Sequence, residues 1–418
     1  LRALQYDYGF ARRLLSKTPT EAGKRAVWSL SQSLGRVWPS MFWSGLGFLQ
    51  YREVDELPLP APDWARIAVR YGGICGSDLG SISLHASPSL SAWTSFPFTV
   101  GHENVGTITE VGDEVEGFSV GERVVVEPLL GCAARGFDEF CPPCARGDAG
   151  VCENRAGGEI EAGLLTGSCA STGGSWSESF VAHESQLLRV PEGVSDENAV
   201  LSEPFAVALH AVLRHPPSED GTALVLGVGA IGLCVIAGLR ALGYSNRILA
   251  VARHSFQAEL ARSLGASEVL RPGDEVALAE ALGARVEAPI LGSSLVAGGA
   301  EVVYECAGSN ASLDAAIRFT REGGRAVILG LAAVSEGVDW ASIWLKEITV
   351  AGSYVYGVES WQGRRVRTME LALELVAQGR VDLSQLVTHR FPLSEYRRAL
   401  SMATNKARHG LVKAVFAF

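Results

Sequence analysis

Cys75, His102 and Glu203 lie far apart in the chain, yet each is of a type that holds zinc and each sits in a distinctive run. Cys75 opens Cys75-Gly76-Ser77-Asp78, His102 lies in Gly101-His102-Glu103, and Glu203 precedes Pro204. A thiolate, an imidazole and a carboxylate make three protein ligands and leave a fourth position open, which is what a catalytic zinc requires. Singly, the cysteine reads as a small buried hydrophobe and the histidine as a satisfied core group. Their neighbours shift the reading. Asp78 is placed to accept a hydrogen bond from a ligating imidazole, and Glu103 puts a carboxylate near the metal or occasionally on it.

A second chemical feature follows Glu203. Gly227-Val228-Gly229-Ala230-Ile231-Gly232 comes after the apolar run Ala223-Leu224-Val225-Leu226 and opens an apolar helical stretch towards Ala241. That strand, turn and helix context is what a dinucleotide fingerprint needs. Gly227 allows the tight turn, Gly229 lets backbone approach a pyrophosphate, Gly232 permits close helix packing, and the helix N-terminus stabilises the phosphate charge. About twenty residues on, an acid would normally bind the adenosine ribose. Val251-Ala252-Arg253-His254 stands there instead. With no carboxylate to repel a 2′-phosphate, and with Arg253 able to bind one, NADP is favoured while NAD stays open.

Elements that could position these groups divide the chain. Its 418 residues exceed what one core usually organises, so two domains are expected. Residues 65 to 190 carry short β-type runs between Gly, Asp and Pro, such as Ala65-Arg66-Ile67-Ala68-Val69-Arg70, which suggests a compact barrel-like β domain. From about 207 to 354, strand-like runs at Leu224 to Leu226, Ile248 to Val251, Val302 to Glu305, Arg325 to Leu329 and Ile348 to Gly352 alternate with helical stretches, the mark of an α/β doubly wound parallel sheet. Helix is expected again over Arg367 to Gln378.

Composition excludes several classes. With 47% apolar and 20% charged residues the chain is globular, and a formal charge of −10 argues against nucleic acid or an anionic membrane as partner. Arg364, Arg365 and Arg367 form a local basic cluster that a solvated helix start explains equally well. The longest nearly apolar run, Ala223 to Leu239, is shorter than the ~20 residues that span a bilayer. No secretory pattern opens the sequence, and four of its eight cysteines cluster at metal-like spacing, so a reduced, cytoplasmic setting is expected over a disulfide scaffold.

Together the motifs resemble the zinc-dependent alcohol dehydrogenase superfamily, the medium-chain dehydrogenases. The matching runs are Gly73-Ile74-Cys75-Gly76-Ser77-Asp78, Gly101-His102-Glu103, Gly121-Glu122-Arg123-Val124, Glu203-Pro204-Phe205-Ala206-Val207-Ala208, the glycine turn, and Glu305-Cys306-Ala307-Gly308. The resemblance implies a GroES-like catalytic domain from both chain ends, here 1–206 and 355–418, with an inserted Rossmann domain over 207–354 in which Ala307 also meets the coenzyme. It implies a homodimer or homotetramer. In the polyol, sugar and threonine dehydrogenase branches the third zinc ligand is a glutamate placed as Glu203 is, which points to polyhydroxylated or amino-alcohol substrates. Cys141, Cys144 and Cys152 match three positions of the family's structural zinc lobe; Cys132, following Glu127-Pro128, is the favoured fourth ligand, with Asp138 the alternative by spacing.

The mechanism so implied is Lewis-acid lowering of a hydroxyl pKa, alkoxide formation, and hydride transfer to nicotinamide. Ser77 resembles the hydroxyl that carries the proton away. The family often continues this relay to a histidine where Gly80 stands, so His85, water or Glu103 must extend it. A non-catalytic member, or a zinc-free reductase of quinone type, is the rival reading. The chief departure from the family is a stretch from about residue 9 to 46, where Ala22, Ala26, Leu30, Leu34 and Trp38 fall at helical spacing. An added helical hairpin on its own domain, a subunit contact and a lid over the substrate entrance are all consistent with it.

Overall fold

The strand Trp64–Gly73 organises the first half of the molecule, because alternate residues of a strand point to opposite faces and Ala65, Ile67 and Val69 all turn inward. They meet Ile108, Val124, Val126 and Phe180 from neighbouring strands in one core. In the computed structural model, which describes residues 1–7, 29, 33, 38–44 and 47–418, this strand is central to a seven-stranded sheet. One edge pairs with Asn104–Val111. The other pairs with Ser179–His183 near its start and with the C-terminal strand Lys413–Ala417 near its end, so both chain ends build one unit.

Two compact units result, Leu1–Glu203 with Asp382–Phe418, and Pro204–Val381. The chain returns to the first unit at Asp382, later than the 355 expected from sequence. In the intervening segment Glu359 accepts from Arg214, which ties it to the second unit.

The first unit also holds a three-stranded sheet, Leu49–Glu53, Arg2–Tyr6 and Phe98–Thr99. The expected helical hairpin falls mostly on residues outside those described. Of its flanking residues, Trp38 is exposed, while Phe42 and Trp43, on the short 3-10 turn Pro39–Trp43, are buried with Leu4, Tyr6, Trp176 and Phe416.

In the second unit, six parallel strands are ordered Glu268–Leu270, Ile248–Val251, Ala223–Leu226, Ala300–Glu305, Thr320–Ile328 and Thr349–Gly352. In chain order this is 3-2-1-4-5-6, the dinucleotide-binding arrangement, whose ligand crevice opens where strands 1 and 4 diverge. The run of apolar residues in Ala223–Leu226 reflects burial on both faces of a parallel sheet. Two hairpins decorate this unit, Arg285–Glu287 with Leu295–Ala297 and Val358–Trp361 with Arg364–Arg367. The second corrects the reading of the arginine cluster as a helix start: Arg364, Arg365 and Arg367 lie in a strand, and the helix begins at Thr368. Among the described residues no helix is long and apolar enough to cross a membrane.

Candidate active site

Cys75 precedes the helix Gly76–Ile82 as its cap residue, and the capping geometry does more than end a helix. Asp78, in the first turn, accepts a hydrogen bond from the Cys75 backbone N–H through Oδ2 at 3.1 Å, while its Oδ1 lies 3.1 Å from His102 Nδ1. One buried carboxylate thus fixes both the cysteine backbone and the imidazole. With Nδ1 facing Asp78, Nε2 is the ring nitrogen left for a metal. Burial opposes charging of His102, but Asp78 and Cys75 outweigh it and hold its pKa well above the usual histidine value.

The loop that delivers His102 and Glu103 is held just as firmly. Buried Asn104 donates to His102 O and Val126 O and accepts from Val126 N–H, and Ser175 Oγ donates to Glu103 O. Gly101 adopts φ +103°, and a Cβ there would meet Trp176 at 2.4 Å, so only glycine serves at this turn. Gly73 has no side chain because the Glu103 carboxylate occupies that space, 2.0 Å from where its Cβ would be.

Metal-binding atoms of Cys75, His102 and Glu103 all lie within 4.8 Å of one another. Glu103 Oε1 accepts from Lys413, whereas the buried Oε2 has no hydrogen-bond partner among the described residues. Sulfur, nitrogen and oxygen donors in one largely buried group suit zinc. Glu203 is buried in the first turn of the helix Ser202–Arg214, and it is not one of this group. Ser77, two residues beyond Cys75, is half-buried. Gly80 has open space where a side chain would project, and His85 is exposed with Nδ1 2.8 Å from Ser83 Oγ.

The second cysteine cluster is a separate centre. Sulfurs of Cys132, Cys141, Cys144 and Cys152 also lie within 4.8 Å of one another, all as free cysteines. Asp138 is exposed and outside the group. A closed set of four thiols fits a structural zinc. Hydrogen bonding from Cys144 draws the Cys152 thiol down to about 5, against the effect of burial.

In the second unit the glycine turn lies at the strand 1 and 4 switch point. Gly227, at φ +89°, approaches Ala307 so closely that a Cβ would sit 2.6 Å from the Ala307 methyl. A Cβ on Gly232 would meet Gly227 O at 2.1 Å, which shows how tightly helix Ala230–Ala241 packs on the turn. At Gly229 a Cβ would meet nothing within 4 Å. That open cradle, at the N-terminus of a twelve-residue helix, fits a pyrophosphate. Glu305 Oε1 accepts from the N–H groups of Ala307 and Gly308, both at 2.8 Å, and shapes the facing turn. Val228, Ala230 and Ile231 complete the turn, and Arg253 stands exposed just past strand Ile248–Val251, whose Val251 O accepts from Gly227 N–H.

The chain has relatives among known proteins. Residues 61–192 match the family model of the alcohol dehydrogenase GroES-like domain, and residues 230–371 match that of the zinc-binding dehydrogenase. The chain belongs to the zinc-dependent medium-chain alcohol dehydrogenase superfamily. It is an oxidoreductase of that family, acting on CH–OH groups with a nicotinamide coenzyme. It is 29% identical over 358 residues to a sorbitol dehydrogenase of Halalkalibacterium halodurans, covering 85% of this chain and 92% of that one. Among solved structures it resembles an alcohol dehydrogenase of Escherichia coli CFT073 complexed with NADH, with TM-score 0.70, 25% identity, and coverage of 88% and 96%. A Sinorhizobium meliloti protein described as a zinc-binding dehydrogenase and bound to NADP gives TM-score 0.69, 26% identity, and coverage of 88% and 96%.

Sequence reading missed two lysines of this dehydrogenase. Lys413 is 4% exposed and donates to Glu103 and, at 3.4 Å, to Ile74 O. Burial alone would lower its pKa, but Glu103, Cys75 and Glu203 together raise it, so it stays a cation. Lys406 lies in the same field; burial and Lys413 lower its pKa against Cys75 and Glu103. Neither lysine belongs to a motif, so no spacing could have found them.

Proposed function

We propose that this chain oxidises the secondary alcohol of a polyol, sugar or amino alcohol to the carbonyl, with zinc held by Cys75, His102 and Glu103 and with NADP as favoured coenzyme. The grouping of those three donors carries the reading. When bound, zinc supplies the Lewis acidity that makes a hydroxyl acidic near neutrality, and nicotinamide accepts the hydride.

The chain's own residues do the rest. Asp78 holds the His102 ring and the Cys75 backbone. Ser77 takes the proton of the substrate hydroxyl and passes its own onward. Lys413 donates to Glu103 Oε1 and holds that carboxylate in place. Because Gly80 cannot continue the relay, the onward proton leaves by water or His85. Glu203, whose charge reaches Lys413, adds a second buried carboxylate to this region. Likeness to a sorbitol dehydrogenase supports a polyhydroxylated substrate, and Arg253 in place of an acid supports NADP. The structural zinc is assigned to Cys132, Cys141, Cys144 and Cys152.

The deciding experiment is a panel of polyols, sugars, amino alcohols and simple alcohols, run with NAD and with NADP and followed by nicotinamide absorbance. Zinc content is measured on the same preparation. Turnover confined to simple primary alcohols would overturn the substrate class, and turnover after complete zinc removal would overturn the chemistry.

A further inference from the structure

A dinucleotide bound across the switch point is shared between two halves of the parallel sheet. In this fold the residue that reads the adenosine ribose stands past strand 2, so the adenosine half lies over strands 1 to 3. The nicotinamide half falls to the carboxyl ends of strands 4, 5 and 6, which here end at Glu305, Ile328 and Gly352. Two buried side-chain oxygens at those ends have no hydrogen-bond partner among the described residues, Glu305 Oε2 and Ser353 Oγ. A buried polar atom without a partner is uncommon and costly, so each needs a physical reason.

Glu305 is sealed in. It is 0% accessible, and a Cβ on Gly330 would lie 2.5 Å from its Oε2, so the turn after strand 5 closes over the carboxylate. Ser353 differs. It is the first residue past strand 6, its N–H donates to Ile328 O at 3.0 Å at the end of strand 5, and 7% of it is accessible. Its backbone is therefore fixed at the rim of the sheet while its hydroxyl is unused. The neighbouring backbone is strained: Val355 is held at φ +49°, where a β-branched residue is rarely found, and Leu331, just past strand 5, at φ +53°. Strain of this kind gathers at ligand clamps, and here it flanks the unused hydroxyl on two adjacent strand ends.

We propose that Ser353 hydrogen-bonds the carboxamide of the nicotinamide ring. The inference rests on the nicotinamide coenzyme lying across this sheet, and adds the residue that holds its reactive end. Strand 6 is three strands from strand 1, whose glycine turn cradles the pyrophosphate, a span of about 14 Å at the usual strand spacing. That distance reaches past the ribose to the far end of the mononucleotide. The carboxamide there offers an acceptor oxygen and two N–H donors, and a serine hydroxyl can pair with either. A ring held at its carboxamide cannot turn over, so one face stays presented for hydride transfer.

The test compares wild type with Ser353→Ala. Binding of NADPH and NADH is followed by nicotinamide fluorescence, and binding of ADP-ribose, which lacks the nicotinamide ring, by calorimetry. We expect the variant to bind reduced coenzyme about 3- to 10-fold more weakly, the span of one neutral hydrogen bond, and ADP-ribose within about twofold of wild type. Melting temperature separates this role from a structural one. Removing a hydroxyl that has no partner should leave the coenzyme-free protein at least as stable as wild type, while the rise in melting temperature on adding coenzyme should shrink. Equal weakening of coenzyme and ADP-ribose, unchanged binding of both, or a coenzyme-free variant that melts well below wild type would overturn the proposal. A wild-type protein that binds neither reduced coenzyme nor ADP-ribose would instead defeat the coenzyme reading on which it rests.

Discussion

Lys413 donates a hydrogen bond to Glu103 across 310 residues of sequence, and both side chains are buried. The pair joins the strand Lys413–Ala417 to the loop that carries His102 and Glu103, so a distant strand positions a candidate ligand. Removing one partner of a buried ion pair strands the other, which typically costs about 3–5 kcal/mol. We therefore expect Lys413→Met to lower the melting temperature of the metal-stripped protein by several degrees or more. Adding Glu103→Gln should recover much of that loss, because no unpaired charge then remains. Equal melting temperatures for the single and double variants would show that packing, not charge, explains the effect.

Ser77 is the hydroxyl nearest in sequence to Cys75, and serine is not among the usual zinc ligands. Ser77→Ala should reduce turnover by roughly 10²- to 10⁴-fold, the span of a lost proton-transfer group, while zinc content stays at the wild-type value. Steady-state kinetics and metal analysis on one preparation check both halves. Near-normal turnover would remove Ser77 from the relay.

Arg253 is exposed just past the second strand of the parallel sheet, and the proposed NADP preference rests on its binding a 2′-phosphate. A hydrogen bond between charged groups contributes about 1.5–3 kcal/mol. Arg253→Ala should thus raise the KM for NADP by about 10- to 100-fold and leave that for NAD within a few-fold. A parallel change in both would mean that Arg253 supports the fold of the turn and does not read the 2′-phosphate.

How far the sequence reveals these features depends on whether the relevant contacts are local. Five of the six parallel strands are legible as short runs rich in apolar residues, whereas the three-residue edge strand Glu268–Leu270 is too short to show, and Gly227 is legible because a tight turn admits few other residues. The Asp78 contact to His102 is legible too, through the short cap that begins at Cys75. Lys413 is not, since a single cation in an apolar strand has no period or spacing, and only tertiary folding gives it a partner. The arginine run 364–367 misled for a related reason: its pairing with Val358–Trp361 is set by hairpin register, and the arginines carry no strand signal of their own.

Two carboxylates compete for the role of third metal ligand, and the resemblance and the geometry divide on them. Family placement points to Glu203, whereas the atoms that gather within 4.8 Å are those of Cys75, His102 and Glu103. Isosteric amides separate the two. If Glu103 is the ligand, Glu103→Gln should weaken zinc retention in chelator competition by tenfold or more, while Glu203→Gln should keep zinc and alter KM across the polyol panel. The reverse result would return Glu203 to the coordination sphere and leave Glu103 as the partner that holds Lys413. Because either glutamine preserves shape, a change in retention reports on charge and ligation at that oxygen and not on packing.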